Sequence, residues 1–447
     1  MPFPMNEKLI SGFSKLSKKE KIDWVNTNYG VADENTNTDD FSVFFHENTA
    51  IQEVIDGFSE NTISNFILPY GIAPNFLING VVYAVPMVIE ESSVVAAASS
   101  AAKFWLSRGG FTSTVLSTVK IGQIHFKWFG DTSLIYRLFP DIKEKLLLES
   151  KHLGANMVKR GGGVTDIELL HFGHLEDGLY QLRVKFETVN SMGANFINTH
   201  LESFSSSLKE YFNSSSLLSP EDREIHIIMS ILSNYTPECL VTATVSCPIS
   251  DFNGIYKDMS AAEFANKFRQ AVRIAEIDPY RATTHNKGIF NGIDAVIMAT
   301  GNDFRAVEAA GHAYAAKDGS YKSLSVCEIE NDIFTFSLTL PLAIGTIGGL
   351  THLHPLAKKT LSILGEPDAQ MLMQIVASVG LAQNFAAVKS LITSGIQDGH
   401  MRMHLMNILV HLQANEEEKS SALHHFSKIP VSFSSVREFI DSMRSEK

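Results

Sequence analysis

The sequence predicts an α+β protein: a large, mainly helical domain interrupted by a small antiparallel-sheet insert and followed by a helical C-terminal flap. Three observations carry this prediction. First, strand-like runs from Thr165 to Phe172 and from Leu179 to Val189 flank Asp177-Gly178, a hairpin signal. In the second run Tyr180, Leu182, Val184 and Phe186 alternate with Gln181, Arg183, Lys185 and Glu187, the period of a strand with one face buried. Next, Ala194, Ile197, Leu201, Phe204, Leu208 and Phe212 recur at three- and four-residue spacing, which is an amphipathic helix. Third, the glycine clusters Arg160-Gly161-Gly162-Gly163 and Gly345-Thr346-Ile347-Gly348-Gly349 do not form GxGxxG, so a Rossmann domain is not supported.

The remaining elements follow in order. Leu16-Ser17-Lys18-Lys19-Glu20-Lys21 reads as a capped, solvated helix start within a polar N-terminal region. The stretch from Phe76 to Ile89 reads as two strands turning at Asn79-Gly80. Ser92 and Ser93 then cap an alanine-rich helix that Gly109-Gly110 stops, and so many small residues imply another element packed closely upon it. Further strands are expected from Glu224 to Leu232 and from Cys239 to Cys247, which places the insert at roughly residues 118–233. Ser260 and Glu263 form a capping box ahead of Phe264, Phe268, Val272 and Ala275. Asn302 is the expected cap of a helix through Ala313. The stretch from Glu366 to about Leu412 is expected to be helical with breaks at Gly380, Gly395 and Gly399, and a glycine-flanked C-terminus is expected to move as a unit.

Composition bounds the function. With 45% hydrophobic and 19% charged residues the 447-residue chain is not disordered. A net charge of −12 argues against a general phosphate-backbone binder, while leaving room for local basic pockets. Cys239, Cys247 and Cys327 are too few and too scattered for a disulfide framework or a zinc site, and read as buried thiols in a reducing compartment. No signal peptide is visible, and the apolar window from Phe334 to Leu350 falls short of a spanning helix. A soluble, cytoplasmic, multidomain protein is the expectation.

Four places set polar residues in apolar surroundings. Glu90-Glu91 sits between strand and helix, where a carboxylate serves either the helix dipole or proton donation from a buried position. Arg281-Ala-Thr-Thr-His-Asn-Lys287-Gly288 holds a lysine suited to an oxyanion or to a Schiff base, and an arginine able to fork onto a carboxylate. Asp303, in Thr300-Gly301-Asn302-Asp303, reads by itself as a helix cap. His400 and His404 have i, i+4 spacing without a third ligand, so a general acid or a polar helix face is preferred over zinc.

These segments resemble a family. Glu60-Asn61-Thr62-Ile63-Ser64, Pro86-Met87-Val88-Ile89-Glu90-Glu91, Ser191-Met192-Gly193-Ala194-Asn195, Thr283-Thr284-His285-Asn286-Lys287-Gly288, Ala299-Thr300-Gly301-Asn302-Asp303, Gly345-Thr346-Ile347-Gly348-Gly349 and Gly399-His400-Met401 are similar, in order and spacing, to the soluble bacterial class II 3-hydroxy-3-methylglutaryl-coenzyme A (HMG-CoA) reductases. The resemblance runs from about residue 10 to about 440. It implies a homodimeric or larger oxidoreductase of the mevalonate route to isoprenoids, which reduces the HMG-CoA thioester to mevalonate and coenzyme A with two NADPH or NADH.

Carried over residue by residue, it makes Glu91, Lys287, Asp303 and His400 catalytic, with Asp303 hydrogen-bonded between Glu91 and Lys287. It places Ser93, Arg281 and Asn291 around the HMG group, Asn234 beside Lys287, and Glu60 and Asn61 at the neighbouring subunit's site. Asn190, Met192, Gly193 and Asn195 become cofactor residues; no metal, nucleic acid or membrane is implied. The implied domains are a substrate and dimerisation domain (1–117 and 234–394), a cofactor domain (118–233) and a C-terminal flap (395–447). Two departures bear on the cofactor. Asn190 stands where the family usually has aspartate, and Gly154 lies near the acid of NADH-selective members, with Lys159 and Arg160 following, which favours NADPH or dual use. The competing enzymatic reading is a Schiff-base lyase acting through Lys287. A non-enzymatic descendant is disfavoured, because all four catalytic positions are filled.

Overall fold

The computed structural model describes residues 8–29, 41–393, 405–426, 429 and 431–445. Helices α1 (Lys18–Tyr29) and α2 (Thr49–Asp56) lead into the hairpin β1 (Tyr70–Ile78) and β2 (Val81–Val88), then α3 (Val94–Leu106) and β3 (Thr112–Val115). The insert comprises β4 (Lys120–Lys127), α4 (Thr132–Leu153), α5 (Ala155–Val158), β5 (Gly163–His171), β6 (Leu179–Glu187), α6 (Ala194–Ser214) and β7 (His226–Ser233). The chain returns through β8 (Leu240–Pro248), α7 (Ala261–Ile277), α8 (Pro279–Ala299), α9 (Phe304–Ala315), β9 (Ser325–Glu330) and β10 (Ile333–Pro341). Helices α10 (Leu350–Leu353), α11 (Pro355–Ile363) and α12 (Ala369–Ile392) complete the body.

Every named strand pairing is antiparallel. The sheets run β1-β2, β3-β8-β10-β9 and β5-β6-β4-β7, so no parallel Rossmann sheet occurs among the described residues. In the insert the alternation of β6 turns Tyr180, Leu182, Val184 and Phe186 inward, and α6 lays Ile197, Leu201, Phe204, Leu208 and Phe212 over them. Gly122 of β4 allows that approach, since a Cβ there would stand 2.7 Å from Leu201 Cδ1. The insert therefore owns one hydrophobic core, the body a second, and the helices beyond residue 405 a third. The three cysteines are buried free thiols.

Several local expectations change. The hairpin begins at Tyr70 rather than Phe76, because β1 bulges between Ala73 and Phe76 with Asn75 at φ 71°, and the bulge breaks the alternation. Ser93 does precede α3, but at φ 77° its hydroxyl makes no capping bond. Asp303, not Asn302, caps α9. Gly380 does not interrupt α12; it lies mid-helix where a Cβ would come within 2.8 Å of Ile293. Gly395 and Gly399 lie outside the described residues. Helix α12 is long and apolar enough to cross a membrane, yet it forms the centre of the body's core, packed on α3, α7, α8 and β8. Close to the C-terminus, Asn415 and Glu418 form a complete capping box, and Arg444 forks onto the buried Glu418 carboxylate at 2.8 and 3.0 Å.

Candidate active site

Helix α8 organises the first part of the site. Asp278 caps it by accepting from the Tyr280 N–H, and Pro279 opens its first turn. The segment from Arg281 to Ala299 is thus one continuous helix. Its Thr-Thr-His-Asn-Lys stretch divides by direction. His285 and Asn286 point inward and are buried. The Asn286 amide donates to Lys322 O (2.8 Å), and its carbonyl accepts from Leu324 N (3.0 Å). Ser325 Oγ donates to Asn384 Oδ1 (2.8 Å), so it accepts from His285 Nε2–H (2.7 Å). Burial, then the nearby Arg281 charge, push the His285 pKa down to about 3, so the imidazole is neutral. These buried bonds fix the rotation of α8, and Lys287, the next residue, faces outward.

Lys287 Nζ donates to Glu91 Oε2 at 2.8 Å, and Asn291 Nδ2, one turn further along, donates to the same oxygen at 3.3 Å. Glu91 follows the end of β2, and Ser93 lies two residues beyond. A left-handed φ on a serine is strained backbone held by its surroundings, and such positions cluster at ligand sites. Arg281 is half-buried, its pKa lowered by that burial, and no ion pair engages it among the described residues. A buried-edge guanidinium with an open fork suits an incoming carboxylate.

The second part is a cleft of about 700 Å³ where three sequence motifs converge. Met192, Gly193 and Asn195 line one wall, Asn302, Asp303 and Arg305 another, and the Gly345–Gly349 loop a third. Asn190 O accepts from Thr346 N (2.8 Å) and Ile347 N (3.1 Å), and Asn302 Oδ1 accepts from Gly345 N (2.9 Å). Gly345 is required there: a Cβ would sit 2.5 Å from Met192 N and 2.9 Å from Asn190 O. Gly193, at φ 91°, starts α6 without a side-chain cap, leaving first-turn N–H groups facing the cleft. Backbone donors at a helix start, flanked by glycine, fit a dinucleotide's phosphates.

The cofactor residues divide accordingly. Met192, Gly193 and Asn195 line the cleft, whereas the Asn190 side chain accepts from Ala369 N (3.1 Å) and supports the loop from behind. Lys159 and Arg160 are exposed and outside the cleft lining. Asn234 shares a small cavity with Lys120, Met192 and Thr236, not with Lys287. Glu60 and Asn61 are exposed, and His400 lies outside the described residues. No group of metal-ligating residues occurs among the described residues.

Asp303 departs most from expectation. Its carboxylate accepts from Arg305 N (3.0 Å) and Ala306 N (3.3 Å) and pairs with Arg305 Nη2 (2.9 Å), with no bond to Glu91 or Lys287. Within one chain the two parts lie apart along α8: Met298, at its C-terminal end, lines the cleft, and Lys287, near its middle, is roughly 16 Å back along the helix at 1.5 Å per residue. Arg305 was not singled out from the sequence; its signal was a cation two residues past an acid at a helix start.

The sequence profile of the hydroxymethylglutaryl-coenzyme A reductases matches residues 18–405. The chain is 35% identical to the 3-hydroxy-3-methylglutaryl-coenzyme A reductase of Archaeoglobus fulgidus over 411 residues, covering 92% of this chain and 88% of that protein. Among solved structures, the class II enzyme of Streptococcus pneumoniae bound to NADPH in open conformations is 37% identical, with a TM-score of 0.70 over 86% of this chain and 100% of that one. Another structure of the Streptococcus pneumoniae reductase superposes at a TM-score of 0.71, with 35% identity, over 97% of this chain and 100% of that one.

Proposed function

The chain belongs to the hydroxymethylglutaryl-coenzyme A reductase family, and we propose that it carries out the family reaction in a site assembled from two copies of itself. It is an NAD(P)H-dependent oxidoreductase that takes HMG-CoA to mevalonate and free coenzyme A. The observation carrying the shared site is the separation along α8 of the Glu91–Lys287–Asn291 cluster from the cleft holding Asp303. A second copy bringing its cleft to this cluster supplies what one chain lacks. Beside Glu60 and Asn61, Phe66 and Ile67 are 91% and 70% exposed, an apolar margin suited to such a partner.

Met192, Gly193 and Asn195 would hold the nicotinamide cofactor, which would supply the hydrides when bound. The solved relative bound to NADPH favours NADPH, whereas Gly154 is buried and does not line the cleft. Arg281, Ser93 and Asn291 hold the HMG carboxylate and hydroxyl. Each reduction puts negative charge on the substrate oxygen, and the Lys287 ammonium meets it. His400, on the 395–447 flap, protonates the departing coenzyme A thiolate. Glu91 delivers the proton that completes the alcohol, and Asp303 of the second copy joins Glu91 and Lys287 in one proton-sharing network. Residues 118–233 form the cofactor domain, and the enzyme works as a soluble cytoplasmic homodimer. The Schiff-base lyase reading is set aside because the chain matches the reductase family over residues 18–405 and its relatives are named as reductases.

Mixing two inactive variants tests the shared site. Lys287→Ala and Asp303→Asn, unfolded and refolded together, are expected to recover about a quarter of wild-type activity, since half the dimers are mixed and each holds one intact site. No recovery, with mixed dimers demonstrated, would show that both residues act in the same chain.

A further inference from the structure

Helices α8 and α9 meet along a tight seam. Phe290 and Asp294 lie one turn apart on α8, and Glu308, Gly311 and His312 face them from α9. Gly311 permits the approach, because a Cβ there would stand 2.3 Å from Phe290 Cζ, and the Phe290 and His312 rings are 4.8 Å apart. Ala310 and Val307 beside them are buried. Within this seam Asp294 and Glu308 are neighbours, and Asp294 Oδ1 is buried with no hydrogen-bond partner. Two carboxylates in such contact, without a cation between them, cannot both be ionised.

The other charged groups near the seam are already engaged. His312 Nδ1 is bonded to Tyr321 OH (2.7 Å), and Asp303, at the start of α9, is held by Arg305. From α3, α7, α11, α12 and β2, which also pack on α8, no described charged side chain acts on Asp294. Burial first, and Glu308 second, push the Asp294 carboxyl up to about 8.

We propose that Asp294 and Glu308 share one proton, and that this bond positions α8, which carries Lys287 and Asn291, against α9, which Asp303 caps. Neither carboxyl touches substrate; both act through the helices they join. The sign of the pH effect follows. An unfolded aspartate titrates near ~3.9. The folded chain holds the proton more tightly, so the bond's contribution is complete below that value and is lost as pH rises through about 8. Above it the pair ionises, repels and loosens the seam. The activity half of this proposal rests on the roles given to Lys287 and Asp303; the stability half does not.

The test is the melting temperature and kcat of the full-length enzyme from about pH 6 to about pH 10, for wild type, Asp294→Asn and Glu308→Gln. Wild type is expected to lose Tm progressively and kcat by about tenfold across the alkaline limb. Either amide still donates to the remaining carboxylate at every pH, so both variants should stay within about threefold of wild-type kcat at neutral pH and lose the limb. A merely structural contact would lower Tm equally at all pH values and leave the limb in place. A limb unchanged in both variants overturns the proposal. If neither variant folds, the wild-type Tm decides: a curve flat to pH 10 overturns it, and a fall through about 8 supports it.

Discussion

Replacing Lys287 with alanine lowers kcat for HMG-CoA reduction by about a thousandfold while leaving the melting temperature unchanged. The rate effect follows from the role of an ammonium opposite a developing oxyanion, where losing one donor costs on the order of 10²–10³ in rate. The unchanged stability follows from exposure. Lys287 is 60% exposed and Glu91 35%, and surface pairs of this kind contribute about 0–1 kcal/mol to folding. Lys287→Arg is expected to remain inactive, because a planar fork cannot replace a compact ammonium held between Glu91 and the substrate. The measurement is steady-state kinetics beside a thermal melt. Activity within tenfold of wild type would remove Lys287 from the chemistry.

A second large effect is expected at Gly345, in the wall of the cleft. Alanine there meets the backbone of one segment at three atoms: Met192 N at 2.5 Å, Ser191 C at 2.8 Å and Asn190 O at 2.9 Å. These atoms belong to the segment that starts α6, so relief requires the two loops to part, and the Asn190 O bonds to Thr346 N and Ile347 N go with them. Overpacking without a flexible neighbour costs about 1–3 kcal/mol. Here it falls on the loops that shape the cofactor cleft. Gly345→Ala is therefore expected to raise the KM for NADPH by about tenfold or more, with a smaller change in the KM for HMG-CoA. Isothermal titration with NADPH checks it; unaltered affinity would mean that this loop does not shape the cofactor site.

How far these features could be read from the sequence depends on their physical origin. The insert was legible because Tyr180 to Phe186 and Ile197 to Phe212 each obey one periodicity, set by a single buried face. Helix α8 was not, because its glycines and polar Thr-Thr-His-Asn-Lys stretch weaken a helical pattern. Gly292 is there for contact: a Cβ would come within 2.8 Å of the Gln383 side chain on α12, and that partner lies far away in sequence. Asn302 and Asp303 were exchanged as cap because both residue types cap helices well, and only the 2.9 Å bond from Gly345 N shows that the Asn302 side chain is committed elsewhere. In the site, Glu91 and Lys287 were found by chemistry and Asn291 through the family resemblance, and their contact is seen within one chain. Asp303 was found by motif, yet within one chain it bonds Arg305 and Ala306 and not Lys287, and the link proposed through a second copy is one a single sequence carries no information about. The Asp294–Glu308 pair left no sequence signal, since acids on adjacent helices look solvated until packing brings them together.

The central claim is the reaction itself, and stoichiometry tests it most directly. Purified protein is mixed with limiting HMG-CoA and excess NADPH, and nicotinamide absorbance is followed together with free thiol. The account predicts two nicotinamides oxidised for each coenzyme A released, with mevalonate as the product. No oxidation with either NADPH or NADH, or thiol release without oxidation, would contradict it.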